Sequence, residues 1–278
     1  RLSQLSVEEL QQFRQTQDIA AAPVARKSDS VTAVRIGFFE AASYCNWLSR
    51  QEGIPEEQWC YLPREDGLYA PGMQIAEDHL YRSGYQIPTP DLWEYACRGG
   101  TATPRPYGHG VELSSAFVRW MGTRVGTQQR IAYRKPNGFG LFDVLGNSYE
   151  WSVGLVERSQ MNSPDPRSRG PRFPMDEPGA RFGGPRMQGP GVGPLPGLGE
   201  EVRHMPRGRP GLAFGGGPKL VDAAGKTVRG NSQFVILGGA FDSPAHKIRS
   251  SDRSIISPPY TNKPITLRLM RIVSWGGK

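Results

Sequence analysis

The chain has 278 residues, 37% of them apolar and 10% aromatic, which is enough to bury a sizeable core. Lys and Arg outnumber Asp and Glu by 34 to 26, a net charge of +8 that would draw anions such as nucleic acid, acidic glycans or an acidic protein. The basic residues are scattered, so a simply well-solvated surface is the favoured reading and nucleic acid is not an expected partner. No run of 18 apolar residues is present, which leaves no expected membrane span, and three cysteines cannot all pair within one chain, which excludes a disulfide scaffold.

Residues 4–17 place Ser6 three positions before Glu9, a capping-box pattern ahead of a short helix, read as a peripheral N-terminal extension within residues 1–30. Val31 to Ile36 alternate as a strand would. Phe39 to Arg50 read as an amphipathic helix that buries Ala42, Tyr44, Cys45, Trp47 and Leu48 and is closed by Gly53. A short strand is expected at Gln58 to Leu62, with helices at 74–82 and 89–98. The second of these has Thr89 as N-cap and Pro90 at its first position, with Leu92, Trp93, Tyr95 and Ala96 as its buried face. Gly99 to Asn137 read as loop, with Trp120 as a core anchor. The four histidines, His79, His109, His204 and His246, are scattered without ligand spacing and are expected on the surface or in loops.

Residues 158–218 differ in character, holding 14 glycines and 12 prolines without a three-residue glycine period. Alone in water such a stretch stays disordered. It is therefore expected to be pinned against a protein partner or a second copy of this chain, with Met161, Phe173, Met175, Phe182, Met187, Met205 and Phe214 as anchors. The alternative is a long loop lying on its own domain. Val221 to Val228 read as a hairpin turning at Ala223-Ala224-Gly225. Its Gly225-Lys226-Thr227 lacks the earlier glycine of a phosphate-binding loop, because position 220 is leucine.

Four segments in order carry a resemblance: EAASYCNWLS at 40–49, GYQIPTPDLWEYACRGGT at 84–101, NGFGLFDVLGNSYEW at 137–151, and Leu237 to Arg253. On these residues the chain resembles the formylglycine-generating enzyme, or sulfatase-modifying-factor, family over about 31–152 and 234–273. The wording EGIPEEQWCY at 52–61 is similar to versions common in planctomycete-type bacteria. The resemblance implies an α+β domain with the C-type-lectin-like fold and much irregular loop. It would run from 31 to 278 and be interrupted by the Gly/Pro-rich insertion at about 158–218. Short strands, early helices and glycine-marked turns suit that architecture better than a sandwich or a doubly wound sheet.

Oxygen-dependent members of the family resemble one another in a Gly-Gly-Ser segment followed by two cysteines that bind copper(I), a soft metal suited to thiolates. Here the serine position is Ala240, the cysteine positions are Ser243 and Ile248, and Pro244 replaces the histidine that follows the first cysteine. No cysteine follows Cys97, so the family's disulfide partners for Cys45 and Cys97 are missing as well. Neither copper nor cysteine-oxidising activity is expected. The resemblance further implies a Ca²⁺ site at Asp143, Gly146, Ser148 and Glu150. There the two acids would supply carboxylates, and Gly146 and Ser148 would supply carbonyls, all hard oxygens. The alternative is that the acids cap turns or pair with arginines. Arg249, Asp252 and Arg253 match residues of the family's non-catalytic members, and the resemblance implies an internal salt-bridge and hydrogen-bond core, with ligand contact as the alternative.

The function expected is a non-catalytic lectin-fold module, a structural or protein-interaction subunit of a larger assembly that docks through the insertion. Two alternatives stand beside it. An enzyme with an unrecognised active site would show an enclosed polar pocket near 238–253. A ligand-recognition surface would use 243–264, with Tyr260 and Asn262. The start at Arg1 fits a removed signal peptide and equally a chain cut from a longer one, and an extracytoplasmic bacterial location is the expectation.

Overall fold

The central element is an eight-residue strand, β3 (Tyr149–Val156), buried along almost its whole length. In the computed structural model, which describes residues 4–17, 32, 34–123, 130–156, 220–258 and 262–273, β3 is flanked by β4 (Leu220–Asp222) and β5 (Phe234–Leu237). β6 (Arg253–Ile256) continues from β5, giving the order β4-β3-β5-β6 with antiparallel neighbours, while β7 (Ile265–Thr266) pairs with β3 in parallel. A separate two-stranded sheet joins β1 (Tyr61–Leu62) and β2 (Gln74–Ile75).

Strand alternation divides the apolar residues between two cores, one on each face of the sheet. Phe234 and Ile236 of β5 enter the first core with Trp151 and Val153 of β3, while Val235 and Leu237 enter the second. The first core is aromatic. Phe38 stacks on Phe234 with ring centroids 3.9 Å apart and meets Trp151 edge-on at 5.7 Å. The second core is built from Trp93, Cys97, Val118, Val144, Leu145 and Ile248.

The helices enclose these cores. α1 (Val7–Thr16) starts at the expected capping box, with the Ser6 hydroxyl accepting from Glu9 N and the Glu9 carboxylate accepting from Ser6 N. It is not peripheral, because Leu5, Leu10 and Phe13 are buried in the first core and Arg14 forms a bidentate pair with Glu40. α2 (Phe38–Gln51) buries Ala42, Tyr44 and Cys45 fully and Trp47 and Leu48 in part. Gly53 lies just beyond its last turn with φ +70°, the left-handed stop the sequence predicts. α3 (Pro90–Arg98) has the Thr89 cap, but its buried face is Pro90, Trp93 and Cys97. Leu92 and Tyr95 are exposed, since only one stripe of a nine-residue helix can face the sheet. Close approach of Pro90 to the sheet requires Gly154, where a Cβ would lie 2.5 Å from the proline ring. A short α4 (Ser114–Phe117) follows in the loop region, and Trp120 is partly buried against the second core.

The short strand expected at Gln58 to Leu62 is confined to Tyr61–Leu62, after a 3-10 turn at Glu56–Gln58. Three further predicted elements differ. Val31 to Ile36 make no strand among their described residues: Thr32 bridges Ser6, Arg35 turns with φ +61°, and Ile36 N donates to Ile265 O. The helix predicted at 74–82 is β2 followed by a single 3-10 turn, His79–Tyr81, because Ile75 exchanges backbone hydrogen bonds with Gly225 and Lys226. The turn at 223–226 forms, but Thr227 then bridges Gln74 instead of returning along β4. In each case long-range backbone pairing overrides a local pattern.

The three cysteines are buried free thiols, and His79 is buried rather than exposed. Phe173, Met175, Phe182, Met187, Met205 and Phe214, with Met161 and His204, lie outside the described residues. Among the described residues, no helix is long and apolar enough to cross a membrane.

Candidate functional site

The loop 143–148 leading into β3 turns three of its residues into left-handed backbone: Asp143 (φ +55°), Gly146 (φ +73°) and Asn147 (φ +60°). Asp and Asn tolerate that region better than other side chains, and only glycine suits position 146, where a Cβ would lie 2.2 Å from Arg119 O. The loop is held on both sides, with Gly146 N donating to Gly238 O and Asn147 N to Arg119 O, each at 2.8 Å. Its curvature turns successive carbonyls toward one point.

All the residues expected to hold Ca²⁺ meet at that point, which is occupied by the side-chain amide nitrogen of Gln4. Gln4 Nε2 lies 3.0 Å from Asp143 O, 3.5 Å from Gly146 O, 3.0 Å from Ser148 O and 3.0 Å from Glu150 Oε1. Asp143 contributes its carbonyl where its carboxylate was expected. The carboxylate instead accepts from Ala132 N at 2.7 Å, and burial pushes this acid up to about 6 against that hydrogen bond and nearby Arg268. The Gln4 oxygen is gripped too, accepting from Thr32 Oγ1 and Asn147 Nδ2 at 3.3 Å each.

Glu150 is fully buried, and its charge is already matched. Arg268 donates to both carboxylate oxygens, at 2.9 and 2.8 Å, and Trp93 Nε1 donates to Oε2 at 2.6 Å. The same guanidinium donates to Phe142 O at 2.8 Å. As a test of fit, the cage offers hard oxygens in a ring, but only one belongs to a carboxylate, and that carboxylate is paired. Its separations suit an N–H donor and exceed the 2.3–2.6 Å of calcium coordination. The donor set as it stands does not suit a resident Ca²⁺.

The segment after β5 is the second location the sequence singles out. Gly238 and Gly239 are both left-handed, with φ +88° and +70°, and fold the chain over the second core. Ala240 and Ile248 are buried in the two cores. Ser243 is 3% exposed, and its Oγ accepts from Ala240 N at 2.9 Å and bonds the Tyr149 hydroxyl at 3.1 Å. Arg249 and His246 are exposed, Arg253 pairs with Glu94 at 3.0 Å and Asp91 at 3.5 Å, and Asp252 with Lys247 at 3.3 Å. The expected internal core of arginines and Asp252 is thus a set of surface and rim pairs, where solvent can hydrate the charges. A cleft of about 240 Å³ opens elsewhere, lined by Leu80, Thr89, Pro90, Asp91, Val153, Gly154 and Asp222, none of them from 238–253. Asn262 is exposed, and Tyr260 lies outside the described residues.

Gln4 and Arg268 are the site residues that sequence reasoning missed. Gln4 stands two positions before a helix cap and carries no pattern. Arg268 had a signal, a lone charge between Leu267 and Leu269 at the end of an apolar run, where a buried cation needs a buried acid.

Sheet, helices and irregular loops together define an α+β domain of the formylglycine-generating-enzyme type, a C-type-lectin-like fold. The chain belongs to the family of sulfatase-modifying factor enzyme 1-like domains, whose model matches residues 5–273. The formylglycine-generating enzyme of Mycobacterium tuberculosis is 30% identical over 87 residues, 26% of this chain and 27% of that protein. Serine/threonine-protein kinase pkn1 of Chlamydia pneumoniae is 38% identical over 69 residues, 24% of this chain and 10% of the kinase. The matched part thus spans about a quarter or less of these relatives' length. The solved structure of CarF superposes with a TM-score of 0.57 at 16% identity, covering 98% of this chain and 85% of CarF, a likeness of fold.

Proposed function

We propose that the chain is a non-catalytic lectin-fold module, a structural or protein-interaction subunit of a larger assembly, and that it docks through its Gly/Pro-rich stretch at 158–218. The main support is what fills the two positions where the family's oxidases carry cysteines. Ser243 is buried with its hydroxyl engaged by Ala240 and Tyr149, and Ile248 is part of the second core. An isoleucine cannot ligate a metal, a serine hydroxyl is a poor ligand for a soft one, and both side chains are buried. The thiols the chain does have offer no substitute. Burial pushes Cys60 and Cys97 up to about 12, which keeps them protonated, and Cys97 donates to Ser250 Oγ at 3.4 Å inside the second core.

The docking role draws support from composition. A composition so rich in Gly and Pro offers little apolar surface for a core of its own and suits docking on a partner. That part of this sequence recurs in a protein named as a kinase fits a domain carried as a module.

The test is purification of the full chain from its host under mild conditions, with mass spectrometry of stoichiometric partners and elemental analysis. Partners that are lost when residues 159–217 are replaced by a short Gly-Ser linker, in protein free of copper and iron, are the expected result. A monomer carrying copper or iron, or oxygen uptake with a cysteine-containing peptide, would overturn the reading.

A further inference from the structure

We propose that Gln4 is the built-in occupant of the oxygen cage, a neutral amide donor standing where a divalent cation would sit, so that closure of this region does not depend on metal. The cage consists of the carbonyls of Asp143, Gly146 and Ser148 and one carboxylate oxygen of Glu150, all facing Gln4 Nε2. Gln4 itself is fully buried. An amide offers only two hydrogens, so the four acceptors share them, an arrangement more crowded on the acceptor side than a turn requires. The amide's orientation follows from the network: its nitrogen faces acceptors only, while its oxygen faces Asn147 Nδ2 and Thr32 Oγ1, and a flipped amide would set oxygen against oxygen.

Three features separate this arrangement from a metal site that Gln4 fills by chance. First, the backbone beside Gln4 is pinned. Leu5 is 1% exposed in the first core and Ser6 caps α1, so withdrawing the side chain disturbs the start of the helix. Second, the charge balance is already closed. Glu150 is paired through both oxygens with Arg268, and an ion at the Gln4 position would bring a double positive charge within two hydrogen-bond lengths of the guanidinium. Third, the separations of 3.0 Å are those of N–H to oxygen bonds, and calcium would need the ring to contract by about half an ångström. The amide bonds need no contraction and add no charge.

The experiment uses the full chain and calcium chloride or EDTA alone. A stoichiometric Ca²⁺ site at a hundredfold its Kd raises Tm by roughly 5–10 °C in a protein of this size. Wild type is expected to retain no equivalent of Ca²⁺ after dialysis and to melt at the same temperature, within about 1 °C, in EDTA and in millimolar CaCl₂. Gln4→Met keeps the bulk and removes the donor, and is expected to lower Tm in EDTA by roughly 5 °C through the acceptors it leaves unpaired. Gln4→Ala opens the cage and serves as the second variant, with a larger loss. One equivalent of Ca²⁺ held by wild type, an EDTA-induced fall of 5 °C or more, or Gln4→Met melting with wild type would each overturn the proposal.

Discussion

The pair formed by Glu150 and Arg268 predicts an asymmetric response to substitution. Glu150 is 0% and Arg268 4% exposed, and the guanidinium makes two of the hydrogen bonds to the carboxylate and one to Phe142 O. Arg268→Met keeps most of the side-chain volume and leaves a buried carboxylate with Trp93 Nε1 and Gln4 Nε2 as its remaining donors among the described residues. Removing one partner of such a pair costs about 3–5 kcal/mol, most of it the penalty for the stranded charge. The double variant Glu150→Gln with Arg268→Met has no charge to strand, and the Gln side chain still offers an oxygen to Trp93. It is expected to recover at least about 2 kcal/mol relative to Arg268→Met, because replacing both ions of a buried pair is often close to neutral. Equilibrium unfolding in urea at pH 7.5, with all four corners of the cycle measured, reads both numbers. An Arg268→Met protein within about 1 kcal/mol of wild type, or a double variant no more stable than that single variant, would refute the account of Glu150 and Arg268 as a mutually dependent buried pair.

Gly146→Ala forces a Cβ to 2.2 Å from Arg119 O at φ +73°, and is expected to cost roughly 2–4 kcal/mol, whereas Gly53→Ala, at φ +70° with open space around it, costs about 1 kcal/mol, as thermal unfolding of the two variants would measure. Phe234→Ala removes the ring stacked at 3.9 Å on Phe38 and is expected to lose about 3–5 kcal/mol in the same urea assay, against about 0.5 kcal/mol or less for a surface change. With Cys60 and Cys97 held near 12 and fully protonated at pH 8, iodoacetamide is expected to alkylate them at least roughly 10³-fold more slowly than free cysteine. All three thiols are expected to react once the chain is unfolded, and rapid labelling of the native protein would contradict the burial.

Local chemistry carried much of the fold. Ser6 with Glu9, Thr89 with Pro90, and Gly53 beyond α2 are short-range signals whose caps and stops form as the residues dictate, because each rests on groups within a few positions of one another. The family frame was legible for a related reason. Tight turns at 143–148 and 238–239 demand particular residue types, and those demands leave a readable motif. Elements whose partners are distant were misread. Gln74 and Ile75 look helical until the 225–227 turn hydrogen-bonds them, and Val31 to Ile36 look like a strand until Arg35 turns the chain.

The sequence, through its resemblance to the family, named the residues that surround the cage, Asp143, Gly146, Ser148 and Glu150, which lie within eight positions on one local turn. Only the tertiary structure decided what stands inside it. Gln4 reaches Glu150 across 146 positions and Arg268 across 118, so their meeting depends on how α1 and β7 pack against β3, a matter of global packing that no local pattern encodes.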